Sequence, residues 1–204
     1  MLKSINKVIK VLILSDLFLM AGWGMVIPIL AIFIIDKIQG GNVQVAGIAI
    51  GVYWLTKSII QIPIARYLDR TRGEKDDYYA LIGGTLLASF VPLGFIFATL
   101  PWHMYLLQGI NALGMAFAIP AWAAIFTRHI DKDQTAFSWS LDSSALGIGA
   151  GVAGIAGGTV AKTFGFTPLF IGVSILGIIS TLLFLLIQKD LSPREKVYPM
   201  PKPH

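Results

Sequence analysis

An all-α membrane protein with six transmembrane helices is the fold class this sequence predicts. Three observations lead there. The 204 residues are 55% hydrophobic and only 13% charged, whereas a soluble domain carries about 25% charged residues. The apolar residues gather into six stretches, each near the roughly 20 residues a helix needs to cross a bilayer. The Lys and Arg residues fall almost entirely on one side of an alternating path through those stretches.

The mean hydropathy of +0.74 fits the same class, because so little charge leaves no means of covering a soluble surface. Abundant Leu, Ile, Val and Phe exclude a disordered chain. With no cysteine, disulfides, thiolate zinc sites and thiol catalysis are excluded.

The six spans are expected over about 11–35, 43–65, 79–99, 103–126, 136–161 and 167–188. The first follows a basic start at Lys3, Lys7 and Lys10. Its apolar run is too long for a signal peptide and ends without a small-residue cleavage site, so it reads as a retained helix. Asp36-Lys37 and Gly40-Gly41-Asn42 separate it from the second span. The run from Arg66 to Asp77 follows the second, and Pro101 splits the third from the fourth. Arg128 to Asp133 follows the fourth, and Lys162 to Gly165 form a tight fifth turn. No strand-type alternation occurs, so helices must satisfy the backbone in lipid. Residues 1–190 make one transmembrane domain. The tail over 191–204, with Pro193, Pro199, Pro201 and Pro203, is expected to be a flexible cytoplasmic segment.

Orientation follows from the short loops. With the N-terminus inside, thirteen Lys and Arg lie on the inner side, and only Lys37 and Lys162 lie outside. Both termini are therefore expected in the cytoplasm, with the protein multi-pass in the cell or inner membrane.

The first and fourth spans match at an offset of 92 residues: Asp16 with Gln108, Gly22 with Gly114, Ile27 with Ile119, Pro28 with Pro120. These helices cross in opposite directions, so a three-plus-three inverted repeat is expected.

Asp16, Lys57 and Asp142 are charged side chains inside apolar spans. One such charge at the bilayer centre costs about 2.5–3.5 kcal/mol on an insertion scale. Similar depth predicts that Lys57 pairs with Asp142, Asp16 or both, as a packing ion pair or as a coupling network in which one carboxylate stays free to titrate. Polar and aromatic faces accompany them: Tyr53 and Gln61 beside Lys57, Met20 and Trp23 above Asp16, Trp139 beside Asp142, and Gln108, Asn111, Met115 and Trp122 on the fourth span. Such a set suits a cavity for a small organic molecule. The third and sixth spans carry no ionisable side chain and are expected against lipid. Gly147, Gly151, Gly154 and Gly158 share one face of the fifth span and are expected to admit a close helix neighbour.

Taken together, the pattern resembles the N-terminal half of a major facilitator superfamily (MFS) transporter over about residues 11–190. The second-to-third connection, Ala65-Arg66-Tyr67-Leu68-Asp69-Arg70-Thr71-Arg72-Gly73-Glu74-Lys75, is similar to the family's Gly-x-Leu-Ala-Asp-Arg-x-Gly-Arg-Arg/Lys. Asp69 and Arg70 fall on its Asp-Arg, and its later Gly is displaced to Gly73. Gly22 to Leu30 looks like the family's first helix, and Gln108-Gly109 with Gly114 and Pro120 like its fourth. Gly154-Ile155-Ala156-Gly157-Gly158 looks like an antiporter signature that lacks its Pro.

The resemblance implies an MFS-like half moving a small organic solute, with ion or proton coupling. It also implies a loop gate at Arg66, Asp69, Arg70 and Gly73, and a second six-helix unit, as a homodimer or a separate half. In a homodimer Asp69 would approach the start of the partner's fifth helix. The other reading is a non-transporting or truncated multi-pass protein with an assembly role. No enzyme motif, cofactor, metal or nucleic-acid partner is expected: His103, His129 and His204 have no metal-ligand spacing. The partners expected are the lipid bilayer and the solute.

Overall fold

Helix ends in this chain are set by local chemistry that the sequence carries. The structure, a computed structural model, describes residues 5–70 and 73–191. Within them lie α1 (Lys7–Lys37), α2 (Val43–Arg70), α3 (Lys75–Ile96), α4 (Pro101–His129), α5 (Thr135–Phe164) and α6 (Phe166–Phe184), with a 3₁₀ turn over Leu185–Ile187. All six helices are long and apolar enough to cross a membrane. From residue 192 on, the expected tail lies outside the described residues.

Asn6 caps α1, its side-chain oxygen accepting from the Val8 N–H at 2.9 Å. Asn42 does the same for α2, accepting from Val45 at 3.0 Å. Pro101 opens α4, where its missing N–H is no loss. Gly165, at φ 87°, alone reverses the chain between α5 and α6, a conformation that favours glycine. Two connections are therefore shorter than expected: α2 runs on through Arg70, and α5 runs on through Lys162 to Phe164.

The densest packing joins α3 to α4, α1 to α5, α2 to α4, α1 to α6 and α3 to α6. Exchanging the first three helices with the last three maps this set onto itself. α1 on α5 becomes α4 on α2, α1 on α6 becomes α4 on α3, and α3 on α6 is unchanged. The same exchange holds at single residues. A side chain at Gly22 would meet Val173 and Leu176 of α6; one at Gly114 would meet Gly84 and Ala88 of α3. Gly84 and Leu176 are themselves 92 positions apart, the offset between Gly22 and Gly114. Pro28 and Pro120 likewise lie inside α1 and α4. The three-plus-three repeat is thus built into the packing.

Two apolar cores are stacked along the bundle. One gathers Val26, Phe33, Phe95, Met104 and Phe170. The other gathers Leu12, Leu81, Ile125, Phe126 and Phe184, at the end carrying Lys7, Arg66, Arg70 and Arg128, called here the basic end.

α3 and α6 pack tightly on one side and keep an apolar outer face, with Leu86, Leu87, Phe90, Ile171, Ile175 and Leu182 exposed as suits helices against lipid. They are 44% buried within the bundle, against 17% for α2 and 11% for α5. The cause is small residues. Gly84 faces Gly114 and Ala118, and Gly177 faces Ser89, so α3 sits tightly between α4 and α6. A helix without charges fits a protein interior as well as it fits lipid, because lipid tails are as apolar as Leu.

Candidate functional site

Asp16 and Asp142 define the site. Asp16 lies nine residues into α1 and Asp142 seven residues into α5, about 14 and 10 Å along their helices from the basic end. α1 packs on α5, so the two carboxyl groups stand at similar depth on adjoining helices. Asp142 is 5% exposed, and its Oδ1 is buried without a hydrogen-bond partner. Among the described residues no Lys, Arg or His lies within ion-pair distance of either carboxylate.

The expected pairing of Lys57 with these aspartates is not formed. Its ammonium lies 4.1 Å from the Trp54 ring centroid and 5.7 Å from that of Tyr53. Equal depth did not suffice, because α2 packs on α4 while α5 packs on α1. Lys57 and Asp142 therefore stand on opposite flanks of the bundle, and the aromatic faces of α2 hold the cation instead.

The cavity candidates divide between the two ends. Trp23 and Met115 are buried in the core far from the basic end, with Met20 and Tyr53 packed against it. Gln108 and Asn111 are each 4% exposed, and their Oε1 and Oδ1 atoms lack partners. Gln61 is half-buried, one turn past Lys57. Nearer the basic end, Trp122 stacks on Phe126 with centroids 4.6 Å apart. Trp139 meets Phe126 at 4.8 Å and Trp122 at 6.0 Å. This aromatic panel bridges α4 and α5, and Asp142 lies one turn along α5 from Trp139. The sequence reading missed Phe126, whose place one turn after Trp122 was its only signal.

A polar tie at the basic end also went unforeseen. Arg128 of α4 forms an ion pair with the buried Asp77 of α3, and His129 lies 3.5 Å from Glu74. The Asn6 N–H donates to Asp131 at 3.2 Å, and its side-chain NH₂ donates to the His129 carbonyl at 3.3 Å. Acids in the first turn of α3 and bases in the last turn of α4 were the legible sign, since each suits its helix dipole. Among the described residues no group of three or more His, Cys, Asp or Glu is arranged to hold a metal ion.

The Major Facilitator Superfamily model matches residues 12–203. The chain belongs to the major facilitator superfamily. It is 31% identical over 163 residues to "Inner membrane transport protein YajR" of Escherichia coli (strain K12), an alignment covering 77% of this chain and 33% of YajR. Its fold is similar to that of the POT family transporter PepTSo, with a TM-score of 0.73 at 17% identity, over 95% of this chain and 40% of that one. The chain thus spans a third of the curated relative and two fifths of the solved transporter.

Two expectations about this MFS chain change on inspection. The gate stretch is largely helical rather than a loop: Arg66, Asp69 and Arg70 are exposed in the last turns of α2, and α3 begins at Lys75. Gly73 takes φ 140°, which favours glycine there. The glycine face of α5 is displaced around the helix. Gly147, Gly151 and Gly158 have open space where a side chain would go, and Gly154 barely touches α1. Gly149 meets Leu17, Ala153 meets Gly24, and Gly157 meets Met25. The stripe 149, 153, 157 therefore carries the close approach to α1.

Proposed function

We propose that the chain forms one six-helix half of a secondary transporter that moves a small organic solute, and that it works against a second six-helix unit. The observation that carries this is the bareness of α2 and α5. They are the least covered helices, yet they bear Lys57, Gln61, Trp139 and the open glycines of α5. Polar groups left facing lipid are costly, so a second unit covering these faces is the economical arrangement. That unit is either a second copy, related by a two-fold axis along the membrane normal, or a separately supplied half.

In this arrangement Asp16 and Asp142 serve proton or ion coupling, since unpaired carboxylates inside a bundle are the groups such coupling uses. Arg66, Asp69 and Arg70 lie at the cytoplasmic face, as the placing of basic residues favours. There Asp69 approaches the start of the partner unit's fifth helix, where an anion is favoured by about 0.3–1 kcal/mol.

The deciding experiment is solute uptake into proteoliposomes under an imposed pH gradient. Uptake that collapses with the gradient and is lost in Asp142→Asn supports the reading. The absence of gradient-dependent flux for a broad solute panel, in protein of confirmed oligomeric state, overturns it.

A further inference from the structure

We infer that the chain carries a site for one anionic phospholipid, with an acyl chain in the groove between α5 and α6 and the headgroup phosphate at Lys10. This goes beyond the transport reading and does not rest on it.

The groove follows from how α5 and α6 meet. Gly165 joins them, yet they pack little on each other, because each packs on α1 instead. The gap they leave measures about 480 Å³, within the size range of small-molecule sites. Leu17, Ala21 and Met25 of α1 form its floor, Ala145 and Val152 of α5 one wall, and Leu176 of α6 lines the other. No polar side chain lines it, so the part of a ligand that fits here is hydrocarbon.

A positive charge stands in line with the groove. Lys10, Leu14, Leu17, Ala21 and Met25 recur at i, i+4, i+7, i+11 and i+15 and share one face of α1. Lys10 and Leu14 are exposed on that face, between the groove and the basic end. Lys7, on the same face, is held by Asp190 at 2.7 Å. Among the described residues no carboxylate lies within ion-pair distance of Lys10. Its long stem lets the ammonium reach the headgroup level while the methylenes stay on apolar surface, and a Lys placed there attracts anionic lipid.

The spacing matches a phospholipid. Lys10 and Met25 are fifteen residues apart, about 22 Å along α1. Half a bilayer with its headgroups is about 20–22 Å thick. A phosphate at Lys10 therefore puts the end of the acyl chain at Met25, the far end of the floor. A free phosphate would use Lys10 alone and leave the groove unfilled. The open glycines, the face proposed for the second six-helix unit, lie about 140° round α5 from Ala145 and Val152. This flank thus stays toward lipid when that unit is in place.

The test is native mass spectrometry of the purified full chain in detergent, titrated with phosphatidylglycerol and phosphatidylcholine of the same acyl chains. One phosphatidylglycerol per chain is expected to bind about fivefold more tightly than phosphatidylcholine. Lys10→Gln should remove that preference, a loss equal to about 1 kcal/mol, and Lys10→Arg should keep it. Ala21→Phe, which fills the groove from its floor, should weaken both lipids by about fivefold or more. Equal affinity for the two lipids, an unchanged preference in Lys10→Gln, or unchanged affinities in well-folded Ala21→Phe overturns the inference. Should Ala21→Phe elute as aggregate, Lys10→Gln, at an exposed position, decides in its place. The chain has no cysteine, so Val152→Cys adds a clean crosslinking readout. Dimers crosslinked through it in native membranes would mean that a second copy covers the groove, which is equally fatal. Lipid preference without solute flux removes the transport reading alone; flux without lipid preference removes this inference alone.

Discussion

Arg128, in the last turn of α4, reaches across to Asp77, in the first turn of α3, and pairs with a carboxylate whose side chain is only 1% exposed. The pair clamps the two most closely packed helices at the basic end. Arg128→Met strands a buried charge, and a hydrogen-bond partner lost in this way costs about 1–3 kcal/mol. The lower part of that range is expected, because Arg128 is 40% exposed and water screens the pair. Thermal unfolding in detergent should show a lower midpoint. Adding Asp77→Asn should recover part of the loss; a double variant no more stable than Arg128→Met would show that the pair contributes nothing.

Two neighbouring glycines of α5 should respond in opposite ways. Gly157 lies against the Met25 backbone, whereas Gly158 faces open space. Gly157→Val should destabilise by about 1–3 kcal/mol through overpacking, while Gly158→Val should stay within about 0.5 kcal/mol. Unfolding midpoints of the two purified variants make the comparison. Equal effects would place the α1–α5 contact on the wrong face.

Lys57 gives a sharp contrast between pairing by depth and pairing by packing. Lys57→Met removes a cation–π contact worth about 0.5–1 kcal/mol and leaves the aspartates as they were. Combining it with Asp142→Asn should give additive stability changes, as sites without shared partners do within about 0.3–0.5 kcal/mol. Rescue of one change by the other in a double-mutant cycle would instead restore an ion pair between them.

The proposed second unit is open to crosslinking, since the chain has no cysteine of its own. Cysteines at Asp69 and Thr135 should give crosslinked dimers in native membranes if two copies associate. A strictly monomeric protein with no crosslink and no co-purifying half leaves the proposed assembly without support.

Orientation is checked with reporters. Fusions after His204 should report as cytoplasmic and insertions beside Gly41 as external, following the distribution of Lys and Arg. An external signal at His204 would reverse the proposed topology.

The amino-acid sequence by itself determined the class, the six spans and the repeat. Length and hydropathy decide what crosses a bilayer, and the 92-residue match of Gly22 with Gly114 and Pro28 with Pro120 is periodic information that a chain carries without folding. Asp16 and Asp142 were visible for the same reason, since a charge in an apolar run stands out in one dimension. Only the tertiary structure decided lateral neighbours. Depth along a helix is read by counting residues, but the azimuth at which helices meet depends on which small residues let backbones approach. Gly84, Gly114 and Gly177 draw α3 into the bundle, although its composition suits lipid equally well. Gly149, Ala153 and Gly157, rather than the neighbouring stripe, seat α5 on α1. That seating puts Asp142 and Asp16 on adjoining helices and leaves Lys57 with Trp54 on α2, a partition that equal depth alone did not reveal.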